Sequence, residues 1–144
     1  YAMESLRLEK SYRMWGMDLT KEYSILEAGL DRFVKIQKGQ FTGREALLLQ
    51  RESGVPQEFI TLEVDVDDAD PMGNEPVFSG NEMIGRATSG CYGHSVGKSL
   101  ALAYVESGTG SVGTELELEI LDKRYPARVI EESPCDPQNE KLRV

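Results

Sequence analysis

The chain has 144 residues, of which 40% are hydrophobic and 28% charged, with a formal net charge of -9 and a pI near 4.7. That length suits one ordinary domain, or a small domain with a piece of another attached, and it can bury a core. The acidic balance argues against nucleic acid or an anionic membrane surface as partner, and no run approaches the roughly 18 apolar residues of a membrane span. No secretory signal is visible, and two cysteines, Cys91 and Cys135, are too few for a disulfide framework, so a reducing compartment is the default.

Leu6, Leu8, Tyr12 and Trp15 stand among Arg, Lys and Glu, a pattern that predicts an amphipathic helix from Met3 to Trp15, stopped by Gly16. Tyr1-Ala2-Met3 offers no capping residue, and an isolated apolar helix face needs a partner, so the expectation is a chain that starts inside a larger domain. Thr20 to Lys35 lacks clean helical spacing and reads as a loop feeding a short strand at Arg32 to Ile36. A second helix is expected over residues 43 to 53. Thr42 and Glu45 would form its capping box, Phe41 and Ala46 its staple, and Gly54 its stop.

From Phe59 the period changes to two. Ile60, Leu62, Val64 and Val66 alternate with polar residues as in a half-buried strand. Pro76 to Ser79 and Glu82 to Thr88 flank a Gly80-Asn81 hairpin turn, with Gly85 and Gly90 at bulges or bends. Leu100 to Val105 alternates next, then Glu115 to Ile120, and Asp122-Lys123 turns the chain into Tyr125, Ala127 and Val129. These elements predict a mostly β, α+β chain: two helices followed by an antiparallel six- to seven-stranded β-barrel or sandwich.

Three stretches look chemical and fail on context. Gly108-Thr109-Gly110-Ser111-Val112-Gly113 fits a dinucleotide fingerprint, but a strand follows it where a helix is required. Gly93 to Ser99 ends like a phosphate loop with three residues between its glycines instead of four. Asp65, Asp67, Asp68 and Asp70 lack the spacing of a calcium loop and read as a solvated turn. His94, the single histidine, has no sequence-linked nucleophile and reads as a rim residue; no metal set is assigned.

Several blocks occur in the order of one known family. Ser5-Leu6-Arg7-Leu8-Glu9-Lys10, Trp15-Gly16, Leu26-Glu27-Ala28-Gly29-Leu30 and Phe41-Thr42-Gly43-Arg44-Glu45-Ala46-Leu47 open the chain. Thr88-Ser89-Gly90, Lys98 to Val105, Tyr125-Pro126-Ala127 and Ser133-Pro134-Cys135-Asp136-Pro137 follow. Together they resemble the C-terminal part of the aminomethyltransferase superfamily, which includes the glycine-cleavage T-protein and the C-terminal halves of dimethylglycine and sarcosine dehydrogenases. Trp15-Gly16-Met17-Asp18-Leu19-Thr20 and Asp136-Pro137-Gln138-Asn139 favour the dehydrogenase branch.

The resemblance implies residues 1–55 as the end of a folate-binding domain and 56–144 as the family's C-terminal barrel. It implies tetrahydrofolate as one-carbon acceptor, a small-molecule amine as donor, FAD in a missing N-terminal domain, and packing on that missing part. It further implies a bacterial cytoplasm or a mitochondrial matrix. Folate catalysis of this kind rests on positioning and local electrostatics, which needs an aromatic slot, a carboxylate for the pterin edge and cations for the glutamate tail. Arg32, Arg7, Arg13, Trp15, Tyr12, Glu9 and Glu27 are the candidates for those roles. The competing reading makes Arg7 with Glu9 or Glu27 a structural ion pair, and Trp15 a core anchor.

Some positions depart from the family. Met3 stands where T-proteins carry a folate-binding arginine, and Arg32 stands where dimethylglycine dehydrogenases carry a folate-lining tyrosine. The family's catalytic aspartate, and its tyrosine and glutamate for the pterin, correspond to positions upstream of Tyr1. The expectation is an enzymatic parent and an inactive isolated chain. A free T-protein piece, a non-catalytic folate-binding assembly factor and a plain structural barrel are the other readings. The assembly factors carry Cys where Gln40 stands and Gln where Arg44 stands.

Overall fold

The computed structural model describes residues 1–141 and 143. Two α-helices, α1 (Ala2–Glu9) and α2 (Arg44–Ser53), precede six strands: β1 (Gln57–Val64), β2 (Pro76–Ser79), β3 (Glu82–Gly93), β4 (Lys98–Glu106), β5 (Glu115–Ile120) and β6 (Lys123–Ile130). The strands close into an antiparallel barrel in the order β1-β4-β3-β2-β5-β6, with β6 returning to β1. The barrel therefore has six strands, at the lower end of the expected range. Closure leaves no open sheet edge.

One core fills the barrel. Ile60, Leu62 and Val64 of β1 meet Ala101, Ala103 and Val105 of β4 and Leu116, Leu118 and Ile120 of β5. A second core lies outside the barrel wall, where Leu100, Leu102 and Tyr104 of β4 pack against Leu8, Ala28 and Phe59. Strand β4 is consequently buried on both faces, although alternation had suggested one buried face. The glycines of β3 permit this close packing. A Cβ at Gly85 would stand 2.1 Å from the Tyr104 carbonyl, and one at Gly90 2.6 Å from that of Pro71. The β2–β3 ladder slips at Ile84, beside Gly85 as expected, and the β3–β4 ladder slips between Ala87 and Ser89, while Gly90 pairs regularly with Ala101.

The N-terminal layer departs from its sequence pattern in four places. Helix α1 ends at Glu9 and does not continue to Trp15, because Ser11 turns into positive φ and its buried hydroxyl meets Thr61 Oγ1 at 2.9 Å. Trp15 is 79% exposed, so it is no core anchor. The segment read as a strand at Arg32 to Ile36 forms 3-10 turns at Asp31–Phe33 and Ile36–Lys38, since no barrel strand offers it an edge. Helix α2 occupies its expected span and ends at Gly54, but its N-cap is Gly43 in the left-handed region with no side-chain cap. The capping box forms instead at Ser24 and Glu27, where Ser24 N–H donates to the Glu27 carboxylate (2.8 Å) and Glu27 N–H to Ser24 Oγ (3.2 Å).

The stretches set aside as non-chemical are turns and connections. Gly108 and Gly110 donate their N–H groups to the Glu58 carboxylate at 3.0 and 2.8 Å, which fixes the β4–β5 connection. Asp68 accepts from Tyr125 and Lys123, and Asp70 from Ser99. His94 is exposed at the β3–β4 turn, edge-on to Tyr92.

Candidate functional site

The N-terminal layer and the C-terminal tail flank an open hollow of about 480 Å³ beside α1. Met3, Leu6 and Tyr12 give it an apolar and aromatic wall, and all three are exposed. Arg7 and Lys10 line it together with the acids Glu9 and Asp136, its open surface is almost wholly apolar, and Cys135 belongs to the tail that forms the opposite side. The geometry follows from α1: Leu8 is buried in the outer core, which turns the neighbouring Arg7 and the residues on its side of the helix toward the hollow. The other hollow of note, beneath α2, is lined by Ala46, Leu47, Gln50 and Pro56 among others and carries no charged side chain.

The tail is buckled onto α1 by hydrogen bonds. Lys10 Nζ donates to the carbonyls of Cys135 (3.1 Å) and Asp136, and its amine stands 3.8 Å from the Asp136 carboxylate. Cys135 N–H donates to the Glu9 carbonyl, Ser133 N–H to Ser11 Oγ, and Ser133 Oγ to the Lys10 carbonyl. Arg13 pairs with Glu132, donates to the carbonyls of Ser11 and Ala28, and lies 4.1 Å over the Phe59 ring. Glu9, 1% exposed, receives Ser95 N–H.

Of the residues proposed from sequence, Arg7, Glu9 and Tyr12 meet at this hollow, Glu9 with its side chain buried. Arg7 Nε and Nη2 donate to Glu4 at 3.1 and 2.6 Å, while Nη1 donates to the Tyr12 carbonyl at 2.9 Å and to Asp18 at 2.8 Å. Its ion-pair partners are thus Glu4 and Asp18, where sequence had suggested Glu9 or Glu27. Glu27 is spent on the Ser24 turn. Arg32 and Trp15 lie outside the hollow: Arg32 is exposed with its guanidinium 4.9 Å from the Phe33 ring centroid, and Trp15 bridges Leu19.

Sequence reasoning passed over Asp18, which is fully buried. Its carboxylate accepts from Arg7, from Met14 N–H at 2.7 Å and from the hydroxyls of Thr88 and Ser89, and its carbonyl accepts from Tyr104 at 2.8 Å. The signal available in sequence was a single acid among Trp15, Met17 and Leu19. Its hydroxyl partners stand some seventy residues away and share no local pattern with it. Nearby, burial pushes the Cys91 thiol up to about 11, and burial also raises the Tyr104 phenol above its ordinary value.

Residues 57–136 match the glycine cleavage T-protein C-terminal barrel domain, and residues 1–38 match the GCVT N-terminal domain. The chain is 44% identical over 133 residues to mitochondrial dimethylglycine dehydrogenase of Rattus norvegicus, an alignment covering 92% of this chain and 16% of that protein. It is 42% identical over 129 residues to the aminomethyltransferase of Moorella thermoacetica, covering 90% of this chain and 35% of the relative. The crystal structure of the glycine cleavage system aminomethyltransferase T from Bartonella henselae superposes with a TM-score of 0.86 at 26% identity, over 94% of this chain and 38% of the other. The chain therefore spans a minor part of the relatives it matches. The match of the barrel-domain family to residues 57–136, more than half of the chain, together with these relatives and the shared fold, shows that the chain belongs to the aminomethyltransferase (glycine cleavage T-protein) superfamily, to whose C-terminal part it corresponds.

Proposed function

We propose that the hollow beside α1 is the C-terminal wall of a tetrahydrofolate site in a longer enzyme that moves a one-carbon unit from an amine to tetrahydrofolate. The observation that carries the reading is an apolar and aromatic wall, Met3, Leu6 and Tyr12, with Arg7 beside it keeping one N–H donor without a partner among the described residues. A reduced pterin with an anionic glutamate tail asks for that combination, because a flat ring needs apolar contact and a carboxylate needs charge-assisted donors. Tetrahydrofolate supplies the nitrogen nucleophile; the groups of this chain would orient it and screen its charge. Arg32, Trp15 and Glu27 enter the proposal with different parts: the first two as exposed groups available to a ligand or a neighbouring domain, Glu27 as the brace of the loop between them.

In this reading residues 1–55 complete a folate-binding domain and residues 56–144 form the barrel attached to it. The exposed Trp15 and Phe33, which lie outside the hollow, would pack on the N-terminal part of the longer protein. The donor would be a methylated amine of the dimethylglycine or sarcosine type. FAD would be held by a separate domain, since the one dinucleotide-like stretch here spends the N–H groups of Gly108 and Gly110 on Glu58. The relatives' names support a mitochondrial or bacterial setting.

Calorimetry with tetrahydrofolate tests the reading. The longer protein is expected to bind at micromolar or tighter affinity and the 144-residue chain very weakly, because in this reading the chain supplies one wall of the site. Tight binding by the chain alone would overturn the shared-wall argument, and no binding by the longer protein would sink the folate reading. A flavin absorption spectrum of the longer protein separates the dehydrogenase branch from the free transferase.

A further inference from the structure

Asp18 sits where three parts of the molecule meet. One carboxylate oxygen, Oδ2, accepts from Arg7 of α1 and from Met14 N–H of the following loop. The other, Oδ1, accepts from both Thr88 and Ser89 of β3. Consecutive residues of a regular strand point to opposite faces, so two neighbouring hydroxyls should not reach one oxygen. They do so here because the β3–β4 register slips between Ala87 and Ser89, leaving Thr88 as the extra residue of a bulge. The bulge thus builds a two-hydroxyl grip for a buried carboxylate.

Arg7 is the other end of the connection. Of its five N–H donors, four are engaged by Glu4, the Tyr12 carbonyl and Asp18, which leaves one on Nη2 without a partner among the described residues. The guanidinium is planar, so once four donors are fixed the direction of the fifth is fixed as well. We propose that Asp18 is a positioning residue: through its carboxylate, the β3 bulge at Thr88 and Ser89 sets the orientation of the Arg7 guanidinium that lines the hollow. Its functional meaning rests on the reading of that hollow as a ligand wall, whereas the coupling itself is a property of the folded chain.

Arginine side-chain NMR on the 144-residue chain tests the coupling without any ligand. Rotation about the Arg7 Cζ–Nη bonds should be slow enough to give separate Nη–H signals, assigned by their loss in Arg7→Lys. Thr88→Val combined with Ser89→Ala touches no atom of Arg7, yet it should shift or broaden the Arg7 signals while leaving those of Arg13, whose partners are Ala28, Ser11 and Glu132, in place. Thr88→Ser, which keeps the hydroxyl, should restore the wild-type Arg7 signals in an otherwise native background. Asp18→Asn should have the largest effect; if it does not fold, the hydroxyl variants still decide. Arg7 signals unchanged in Thr88→Val/Ser89→Ala, or Arg7 and Arg13 moving together as in a general loosening, would overturn the proposal. Failure here leaves the calorimetric test of the folate site untouched, so the two ideas fail separately.

Discussion

Strands β4 and β5 belong to the same barrel, but they bury different amounts of themselves. In β5, Leu116, Leu118 and Ile120 enter the barrel while Glu115, Glu117 and Glu119 face outward. In β4 the inward residues are Ala101, Ala103 and Val105, small enough to fit the barrel interior, and the larger Leu100, Leu102 and Tyr104 point out into a second core beneath α1 and its loop. The barrel is thus a solvated wall on one side and an internal partition on the other. That asymmetry places the hollow, because only the covered side carries a second layer whose edge can form a cleft.

The electrostatic contrast is the sharpest way to break this comparison. On the solvated side Arg128 pairs with Glu115, both more than half exposed, whereas on the covered side Arg7 pairs with the fully buried Asp18. Arg7→Ala leaves a buried carboxylate short of its cation and is expected to cost about 3–5 kcal/mol, while Arg128→Ala should cost about 0–1 kcal/mol. Urea unfolding of both variants measures the difference; equal losses would mean that the outer layer does not seal Asp18 from water.

The apolar contrast comes next. Leu102→Ala empties the outer core and Leu118→Ala the barrel interior, and each should cost about 2–5 kcal/mol, since both side chains are fully buried. A Leu102→Ala loss well below that of Leu118→Ala would show the outer layer to be loosely packed. Tyr104→Phe is smaller: it removes the hydroxyl that donates to the Asp18 carbonyl and leaves that buried acceptor unsatisfied, at about 1–3 kcal/mol, with the ring stack on Tyr23 retained.

The smallest expected effect is alkaline. Burial raises Cys91 to about 11 and lifts Tyr104 above its ordinary value, so in the folded chain both hold their protons to higher pH than when unfolded. The unfolded state then binds fewer protons at high pH, and stability should fall as the pH rises from about 9 toward 11. Cys91→Ala should flatten part of that decline in a thermal-melt series across this range. A decline as steep in Cys91→Ala as in the parent chain would assign it to Tyr104 or to other groups.

The local elements were legible to different degrees for physical reasons. The hairpin at Gly80-Asn81, the Glu/Leu alternation of β5 and the Gly54 stop of α2 are decided by neighbours within a few residues, and they appear as expected. The end of α1 was misread because the residue that stops it, Ser11, does so by bonding Thr61 fifty residues away. Arg7 and Tyr12 could be singled out as polar and aromatic groups near one helix, but their meeting at the hollow depends on the tail, which Lys10 and Ser133 buckle into place.

By itself the sequence determined the mostly β class, the order of the strands along the chain and, through blocks such as Ser5 to Lys10 and Lys98 to Val105, the superfamily. Those features are periodic or local, and periodicity survives in one dimension. Only the tertiary structure decided which strand is buried twice, where the hollow lies and why Asp18 matters. Each depends on groups distant in sequence sharing one desolvated space, and burial of that kind has no local signature.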